Sequence, residues 1–320
     1  MFPTREPLPP AVKTALDECR WMIAKGSKSF SLAAKLFAPE TRDAAFFLYG
    51  WCRYCDDQVD DAANSADRGE LEKRLNALKE KTAAAFTTAP QQEAVFVALQ
   101  YIAHRYSIPA HYAVELIEGM AMDVRGQRYQ SLDDLRLYCY RVAGTVGLMM
   151  SHVMGLREER ALRHAADLGI GMQLTNIARD IIEDAAMGRI YLPLEWLREE
   201  ALAPDEITAY ANRGTLAKLN LRLLAEADRY YRSGDAGYWH LSLRSACAVS
   251  AARHVYAEIG NLLRKRGERA WDQRTYVTGA RKIYVIARGV TSLMGSLPAR
   301  LNQPWSAAPI RIVWRHSVGQ

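Results

Sequence analysis

Two acidic stretches, one in each half of the chain, combine aspartates with arginine or amide side chains. The first carries Phe46, Tyr49, Arg53, Asp56 and Asp60. The second carries Gln173, Asn176, Asp180 and Asp184. Because steps of three and four residues lie along one face of a helix, each set predicts a helix with a single polar stripe.

The chemistry that these residues permit is the binding of a divalent cation and a diphosphate. Carboxylates four residues apart on a helix lie about 5–6 Å from each other, close enough to neighbour one hard cation. Mg²⁺ is such a cation, because it prefers carboxylates, retained waters and substrate phosphates as ligands. The candidate metal ligands are Asp56, Asp60, Asp180 and Asp184, and the candidate diphosphate clamps are Lys28, Arg53, Arg179 and Arg189.

Each acidic stretch also has a simpler explanation. One Asp-rich run alone is typical of a helix end or a solvated turn. Asp57 and Asp61 repeat the spacing of Asp56 and Asp60, so the pair that contacts metal is left open. Two runs, each combined with arginine and amide residues on the same face, favour a functional site. Two such helices that face each other would form one nest of oxygen ligands.

A diphosphate that leaves an allylic chain produces a carbocation, which needs a dry pocket lined by apolar groups and aromatic faces. Side chains of this type are Phe30, Phe46, Tyr49, Tyr138 and Tyr256, and each is equally typical of an ordinary core. Small residues also recur at helical spacing, at Gly144, Gly147, Ser151 and Gly155. They predict either close helix packing or space for a long apolar ligand. No Gly-rich nucleotide-binding motif is present, which argues against a dinucleotide cofactor.

The composition is that of an ordinary globular protein, with 49% hydrophobic and 24% charged residues among 320. Five scattered cysteines imply no disulfide framework, and Cys52 and Cys55 form a CxxC pair without a second pair for zinc. The N-terminus lacks the apolar segment of a signal peptide, and residues 142–156 are too short and Gly-rich to span a membrane. We therefore expect a reduced, cytoplasmic protein.

The net charge of +6 is unevenly distributed. Residues 251–320 hold twelve Lys and Arg against three acidic residues, so the first 250 residues carry a net charge of −3. A basic C-terminal part can attract a polyanionic substrate or the anionic surface of a membrane, although an ordinary solvated surface explains it equally well. Nucleic acid is not expected as a partner, because no DNA- or RNA-binding signature is present.

Helical periodicity dominates the chain and no strand alternation is convincing, which predicts an all-α protein. We expect helices at about 11–25, 39–61, 70–87, 91–105, 109–123, 158–188, 204–212, 215–233, 243–266 and 276–296. A further helix is expected to begin after an N-cap at Ser131. Residues 27–30 are expected to form a short polar segment and residues 189–193 an extended one. No linker or repeat divides the chain, which indicates one domain.

Five motifs in order resemble those of the squalene/phytoene synthase family. They are SKSF at 27–30, DDQVD at 56–60, YCYRVAGTVG at 138–147, QLTNIARDIIED at 173–184 and GRIYLP at 188–193. The resemblance covers roughly residues 15–297. It implies the all-α isoprenoid-synthase fold, a helical bundle around a central cavity. Residues 11–297 would form this domain, between a flexible segment 1–10 and an irregular tail 298–320.

The resemblance also implies roles for individual residues, with Mg²⁺ as the metal and Mn²⁺ as a substitute. Asp56 and Asp60 would form the first metal site, and Asn176, Asp180 and Asp184 the second. The residues expected to hold diphosphate or to line the substrate sites are Lys28, Ser29, Phe30, Phe46, Tyr49, Arg53, Tyr138, Val142, Gln173, Asn176, Arg179, Arg189 and Tyr256. The residues expected to be catalytic are Arg53, Asp56, Asp60, Tyr138, Asp180 and Asp184.

Members of that family join two prenyl diphosphates head-to-head through a cyclopropylcarbinyl diphosphate. We expect two molecules of geranylgeranyl diphosphate to give phytoene, the first committed step of carotenoid biosynthesis, without NADPH. The alternative is squalene or dehydrosqualene from two farnesyl diphosphates. Asp180 stands where terpene cyclases usually have Ser or Thr, which favours condensation over cyclisation. Because product and substrates are long hydrocarbons, we also expect loose association with the inner face of the membrane. No oligomeric state is predicted.

Overall fold

Helices make up all the regular secondary structure in the part of the chain described by the computed structural model, which is residues 7–26, 28–63 and 68–295. Within these ranges, the side chains of residues 28–30, 60–63, 68, 292, 294 and 295 are not described. The prediction of an all-α protein is therefore confirmed for the described ranges. None of the helices there is long and apolar enough to cross a bilayer.

The α-helices follow one another with short connections. They are α1 Pro10–Gly26, α2 Lys28–Ala34, α3 Pro39–Ala63, α4 Arg68–Ala84, α5 Ala94–Tyr106, α6 Ala110–Val124, α7 Leu132–Cys139, α8 Thr145–Val153, α9 Glu159–Ala186, α10 Leu194–Glu199, α11 Arg213–Ala236, α12 Leu243–Arg266 and α13 Gly279–Gly295. A π-helical turn, Tyr140–Gly144, joins α7 to α8. Short 3₁₀ turns are Pro204–Glu206, Tyr210–Asn212, Gly237–His240 and Gly267–Trp271.

The two acidic helices each bury an apolar face, and this burial fixes the direction of their polar stripes. On α3, Phe47 and Trp51 are buried in a core shared with α1 and α5. On α9, Leu174 and Ile177 are buried in a second core shared with α11 and α12. Burial of a large apolar side chain contributes about 1.5–3 kcal/mol, so rotating either helix to hide its aspartates would be costly.

Helix α7 begins as the sequence predicts, and glycines bring the following helices close together. The Ser131 Oγ accepts a hydrogen bond from the Asp134 amide at 3.3 Å, and the Asp134 carboxylate accepts one from the Ser131 amide at 2.9 Å. A side chain at Gly147 would overlap the carbonyl of Ala165 on α9. Because Gly147 also lines a cavity, close packing and space for a ligand both apply there.

Three local predictions are wrong. Residues 28–34 form α2, where a short polar segment is expected at 27–30. The helix expected at 204–212 is two 3₁₀ turns, because Ile207 is its only buried apolar anchor. Helix α10 is absent from the predictions. It begins after Pro193 and is held by the buried side chain of Trp196, a tertiary contact that six residues of local sequence do not reveal.

Candidate active site

Four aspartates from three helices share one electrostatic environment. The pKa of Asp123 on α6 is raised to about 6, mainly by burial and to a smaller extent by the charge of Asp56 on α3. Burial also raises the pKa of Asp184 on α9 to about 7, with Asp180 and then Asp123 adding to the effect. Like charges disfavour joint ionisation only at short range. The charges of Asp56 on α3 and of Asp184 and Asp180 on α9 are therefore linked through Asp123 on α6.

Asp123 is held by two tyrosine hydroxyls. The hydroxyl of Tyr138 donates to one carboxylate oxygen at 2.7 Å, and that of Tyr191 donates to the other at 2.8 Å. The two hydroxyl oxygens lie 3.2 Å apart, and the rings stack with centroids at 4.9 Å. Both hydrogen bonds lower the pKa of Asp123 and oppose the effect of burial. This arrangement places Tyr138 beside the carboxylates.

Arginines partner the acidic residues. Arg53 contacts Asp56 at 3.1 Å and Asp57 at 2.5 Å on an exposed part of α3. Arg179 forms a two-point contact with the largely buried Asp180, at 2.8 and 2.5 Å. Arg274 reaches the same carboxylate from the loop before α13, at 3.1 Å, and also contacts Glu183 at 2.8 Å.

Arg189 lies within the same field. It lowers the pKa of both Asp123 and Asp184 and therefore acts on two of the linked carboxylates at once. Its position follows from the end of α9, where Gly188 adopts a positive φ of 79° and the amide of Arg189 donates to the carbonyl of Asp184 at 2.8 Å. The turn after α9 thus places the charge of Arg189 near the acidic end of that helix.

The donor set is of the type that suits Mg²⁺. Among the residues with described side chains, no three His, Cys, Asp or Glu groups are already gathered for a metal ion, and Asp60 lies outside that set. Mg²⁺ is usually bound by one or two carboxylates with water and substrate phosphate, so a complete protein cage is not required. The pKa of Asp184 is raised first by burial and then by the charge of Asp180, and a divalent cation bound there would oppose both effects.

An apolar cavity of about 330 Å³ extends from this acidic end into the molecule. Gln173 and Asn176 line it on α9, one or two turns from Asp180, and the Asn176 amide donates to Gln173 at 3.3 Å. Tyr256, on α12, lines the same end and is hydrogen-bonded to Asn176. Carbon side chains and small residues cover most of the remaining wall. A polar mouth and an apolar interior suit a ligand with one charged end and one hydrocarbon tail.

A sequence model of squalene/phytoene synthase matches residues 23–281 of this chain. The chain belongs to the squalene/phytoene synthase family. This confirms the resemblance that the five motifs indicate.

Relatives in that family are similar over most of their length. The phytoene synthase of Pseudescherichia vulneris is 46% identical over 276 residues, which cover 85% of this chain and 89% of that one. The 15-cis-phytoene synthase of Pantoea ananas is 43% identical over 292 residues, covering 88% and 94%. Among solved structures, a dehydrosqualene synthase with bound ligand superposes with a TM-score of 0.81 at 27% identity, over 89% of this chain and 98% of that one. These matches confirm the isoprenoid-synthase fold.

The structure brings most of the expected site residues together, but not all of them. Tyr49, Val142, Gln173, Asn176 and Tyr256 line the cavity. Arg53, Asp56, Tyr138, Arg179, Asp180, Asp184 and Arg189 belong to the charged cluster. Phe46 does not line the cavity and is buried in the first core. The side chains of Lys28, Ser29, Phe30 and Asp60 lie outside the described set.

The sequence motifs do not identify three residues of the cluster. Asp123 is the last acidic residue of α6, and nothing around it repeats at carboxylate spacing. Tyr191 lies within the GRIYLP motif but carries no individual signal. Arg274 comes from a loop almost 100 positions beyond its partner Asp180. The local clue to Asp123 is its place at the end of a mostly buried apolar helix, where an unpaired carboxylate would be costly.

Proposed function

We propose that this enzyme condenses two molecules of geranylgeranyl diphosphate head-to-head into phytoene, the first committed step of carotenoid biosynthesis. The observation that carries the proposal is an apolar cavity whose wall residues Tyr49 and Tyr256 lie within the electrostatic influence of Asp56 and Asp180, respectively. The identity of 46% to one phytoene synthase and 43% to another supports this choice among the reactions of the family.

The metal would be held on the facing stripes of α3 and α9. Asp56 and Asp60, four positions apart in sequence, are the candidate ligands from the first acidic stretch, and Asn176, Asp180 and Asp184 are the candidates on α9. Bound Mg²⁺, or Mn²⁺ in its place, neutralises charge that develops on a departing diphosphate. The ion pairs that Arg179 and Arg274 make with Asp180 would have to open for the carboxylate to coordinate metal.

The arginines of the cluster would hold the diphosphate groups. Arg53 lies on α3 and Arg189 in the turn after α9, so each of two diphosphates would have its own guanidinium. Positive groups fixed before the reaction stabilise the departing charge without reorganisation, which is the largest single contribution in many enzymes. Arg274 is a further candidate for this role, because it already lies against Asp180.

The cavity wall would protect the carbocation from water. Tyr49 and Tyr256 present aromatic groups near the polar end, where the cyclopropylcarbinyl intermediate would ionise and rearrange. Aromatic faces attract cations without acting as nucleophiles, so they stabilise the intermediate and do not trap it. Tyr138 instead supports Asp123 through its hydroxyl. The final loss of a proton completes the reaction, and no reductant such as NADPH is needed.

A second candidate keeps this chemistry but uses shorter chains. Two farnesyl diphosphates would give dehydrosqualene, or squalene if NADPH takes part. The similarity to a dehydrosqualene synthase, at a TM-score of 0.81, is the observation that favours it. The reaction chemistry is the same in both candidates, so the usable length of the cavity decides between them.

The proposed partners are therefore two prenyl diphosphates and, at the periphery, a membrane surface. Helix α13 exposes Ile283 and Tyr284 next to Lys282, a combination of apolar and basic groups suited to an anionic lipid surface. Such an interfacial location, on the cytoplasmic side, would let phytoene pass directly into lipid. Sedimentation with anionic vesicles should be reduced by high salt and by Ile283→Glu.

The test of the proposed reaction is product analysis with purified protein. Incubation with geranylgeranyl diphosphate and Mg²⁺, without NADPH, is expected to yield phytoene and two equivalents of diphosphate. Chelation of the metal should stop product formation. Farnesyl diphosphate is expected to be a much poorer substrate. Formation of C30 products alone, with or without NADPH, would overturn the choice of substrate.

A further inference from the structure

The cavity has a second end, remote from the carboxylates. Its wall follows α9 from Asn176 back to Ala161, a distance of about 22 Å at 1.5 Å per residue. At the remote end the wall includes Met154, Leu241 and the imidazole of His164, and the polar groups of Ser151 and Tyr238 line the same cavity. Among these groups only the imidazole of His164 can carry a charge, and it requires an explanation in a mostly apolar wall.

The ring of His164 is fixed from behind by a chain of hydrogen bonds. Its Nδ1 lies 3.1 Å from Oγ of Ser233 on α11. The Ser233 hydroxyl in turn donates to the carboxylate of Asp167. Because that hydroxyl has a single proton, its oxygen must accept from His164, which assigns the proton to Nδ1. Burial lowers the pKa of His164, which favours the neutral ring, and in that ring Nε2 is left as an acceptor.

This ring also cannot move aside easily. His164 is only 8% exposed. A Cβ added at Gly237 would lie 2.8 Å from the Cβ of His164, so the 3₁₀ turn after α11 packs directly against this residue. No described residue forms a hydrogen bond with its Nε2. An acceptor of this kind retains a water molecule where space allows, and a hydrocarbon that displaced the water would leave it unpaired.

We propose that His164 sets the maximum length of the prenyl chain that the cavity accepts. This inference rests on the proposed function and identifies the end wall of the same cavity. The terminal isoprene unit of a C20 chain would stop at the imidazole and its water. A C25 chain would have to displace both and break the contact with Ser233. Asp167 and Ser233 are then positioning residues for the ring, and they do not touch the substrate.

The decisive experiment compares chain-length selectivity in variants of the full-length enzyme. In His164→Asn, the side-chain amide can keep the hydrogen bond to Ser233 while the outer half of the ring is removed. We expect the ratio of kcat/KM for the C25 diphosphate to that for the C20 diphosphate to rise at least tenfold, through a lower KM for C25. One added methylene in a pocket typically changes selectivity 10–200-fold, so a whole isoprene unit should be readily detected.

Met172→Ala is the matched control. Met172 lines the cavity two turns along α9 from His164, about 12 Å closer to the carboxylates. Its truncation widens the side wall without lengthening the cavity. The ratio for C25 over C20 should therefore change less than threefold. An equal rise in both variants would mean that loosening anywhere in the wall relaxes selectivity, and it would overturn the assignment to His164.

Two further variants keep the proposal testable if His164→Asn does not fold. His164→Phe extends a larger ring into the cavity and should raise the ratio for C15 over C20 at least fivefold. Ser233→Ala leaves the ring in place but removes its support, and should raise the C25 ratio severalfold. Unchanged ratios in all folded variants would refute the inference. Failure of the wild-type enzyme to make a C40 product from C20 would instead refute the proposed function.

Discussion

Replacement of Tyr191 by Phe is a sharp test of the charged cluster. The variant removes one of the two hydroxyls that donate to Asp123 and keeps the ring that stacks on Tyr138. The pKa of Asp123 in the folded protein, about 6, is already above its ordinary value of 3.8 because burial outweighs the hydrogen bonds. Loss of one of these hydrogen bonds must raise that pKa further.

The size of the effect follows from the strength of the hydrogen bond. A hydrogen bond to a charged group contributes about 1.5–3 kcal/mol, against about 1 kcal/mol for a neutral pair. The difference of about 0.5–2 kcal/mol should raise the folded pKa of Asp123 from about 6 to roughly 6.5–7.5. An acid with a raised folded pKa gives stability that is present at low pH and lost as the pH rises through that pKa. Tyr191→Phe should therefore cost about 1 kcal/mol at pH 5 and about 1.5–3 kcal/mol at pH 8.

Urea denaturation of the wild type and the variant at the two pH values measures this difference. Tyr231→Phe is the control, because the buried Tyr231 hydroxyl lies 2.7 Å from the uncharged hydroxyl of Thr175. Its cost should be about 1 kcal/mol at both pH values. Equal costs for Tyr191→Phe at pH 5 and pH 8 would refute the placement of an ionised Asp123 between the tyrosines.

Other parts of the site and fold make independent predictions. Asp56→Ala and Asp180→Ala should each lower kcat/KM by a factor on the order of 10² to 10³ or more while the circular dichroism spectrum is unchanged; near-normal rates would contradict their roles. Because the pKa of Asp184 is about 7, Mg²⁺ must displace a proton below that pH, so calorimetric affinity should fall as the pH drops from 7 to 5 and be constant above 8. Gly169→Ala places a Cβ against the Ala143 carbonyl and should cost about 1–3 kcal/mol, whereas Gly279→Ala, with nothing near it, should be almost neutral.

The sequence predicts the acidic helices well because their pattern is local. The spacing of Asp180 and Asp184 determines a shared helix face, and the apolar residues between them determine which face is buried. Predicted and observed bounds agree for α12, at 243–266, and lie within two residues for α9. Periodicity alone carries this information.

The rest of the site depends on contacts between distant segments. The pairing of Arg274 with Asp180 crosses 94 positions, and no local pattern marks it. Asp123 is assigned to the cluster by the two tyrosines that approach it from α7 and from the segment after α9. The failure at 204–212 has the same cause, since the helical pattern there lacks a core surface to pack against. Phe46 shows a further limit of a local pattern, because its burial in the first core is decided by helices that are distant in sequence.

Anomalous diffraction from crystals with Mn²⁺ and an unreactive prenyl thiodiphosphate tests the central claim most directly. Metal peaks are expected between α3 and α9, with Asp56 on one side, Asp180 and Asp184 on the other, and the diphosphate oxygens completing the coordination. The hydrocarbon chain should extend from there towards His164. Metal bound elsewhere, or a diphosphate held without metal and away from both acidic stripes, would contradict the account.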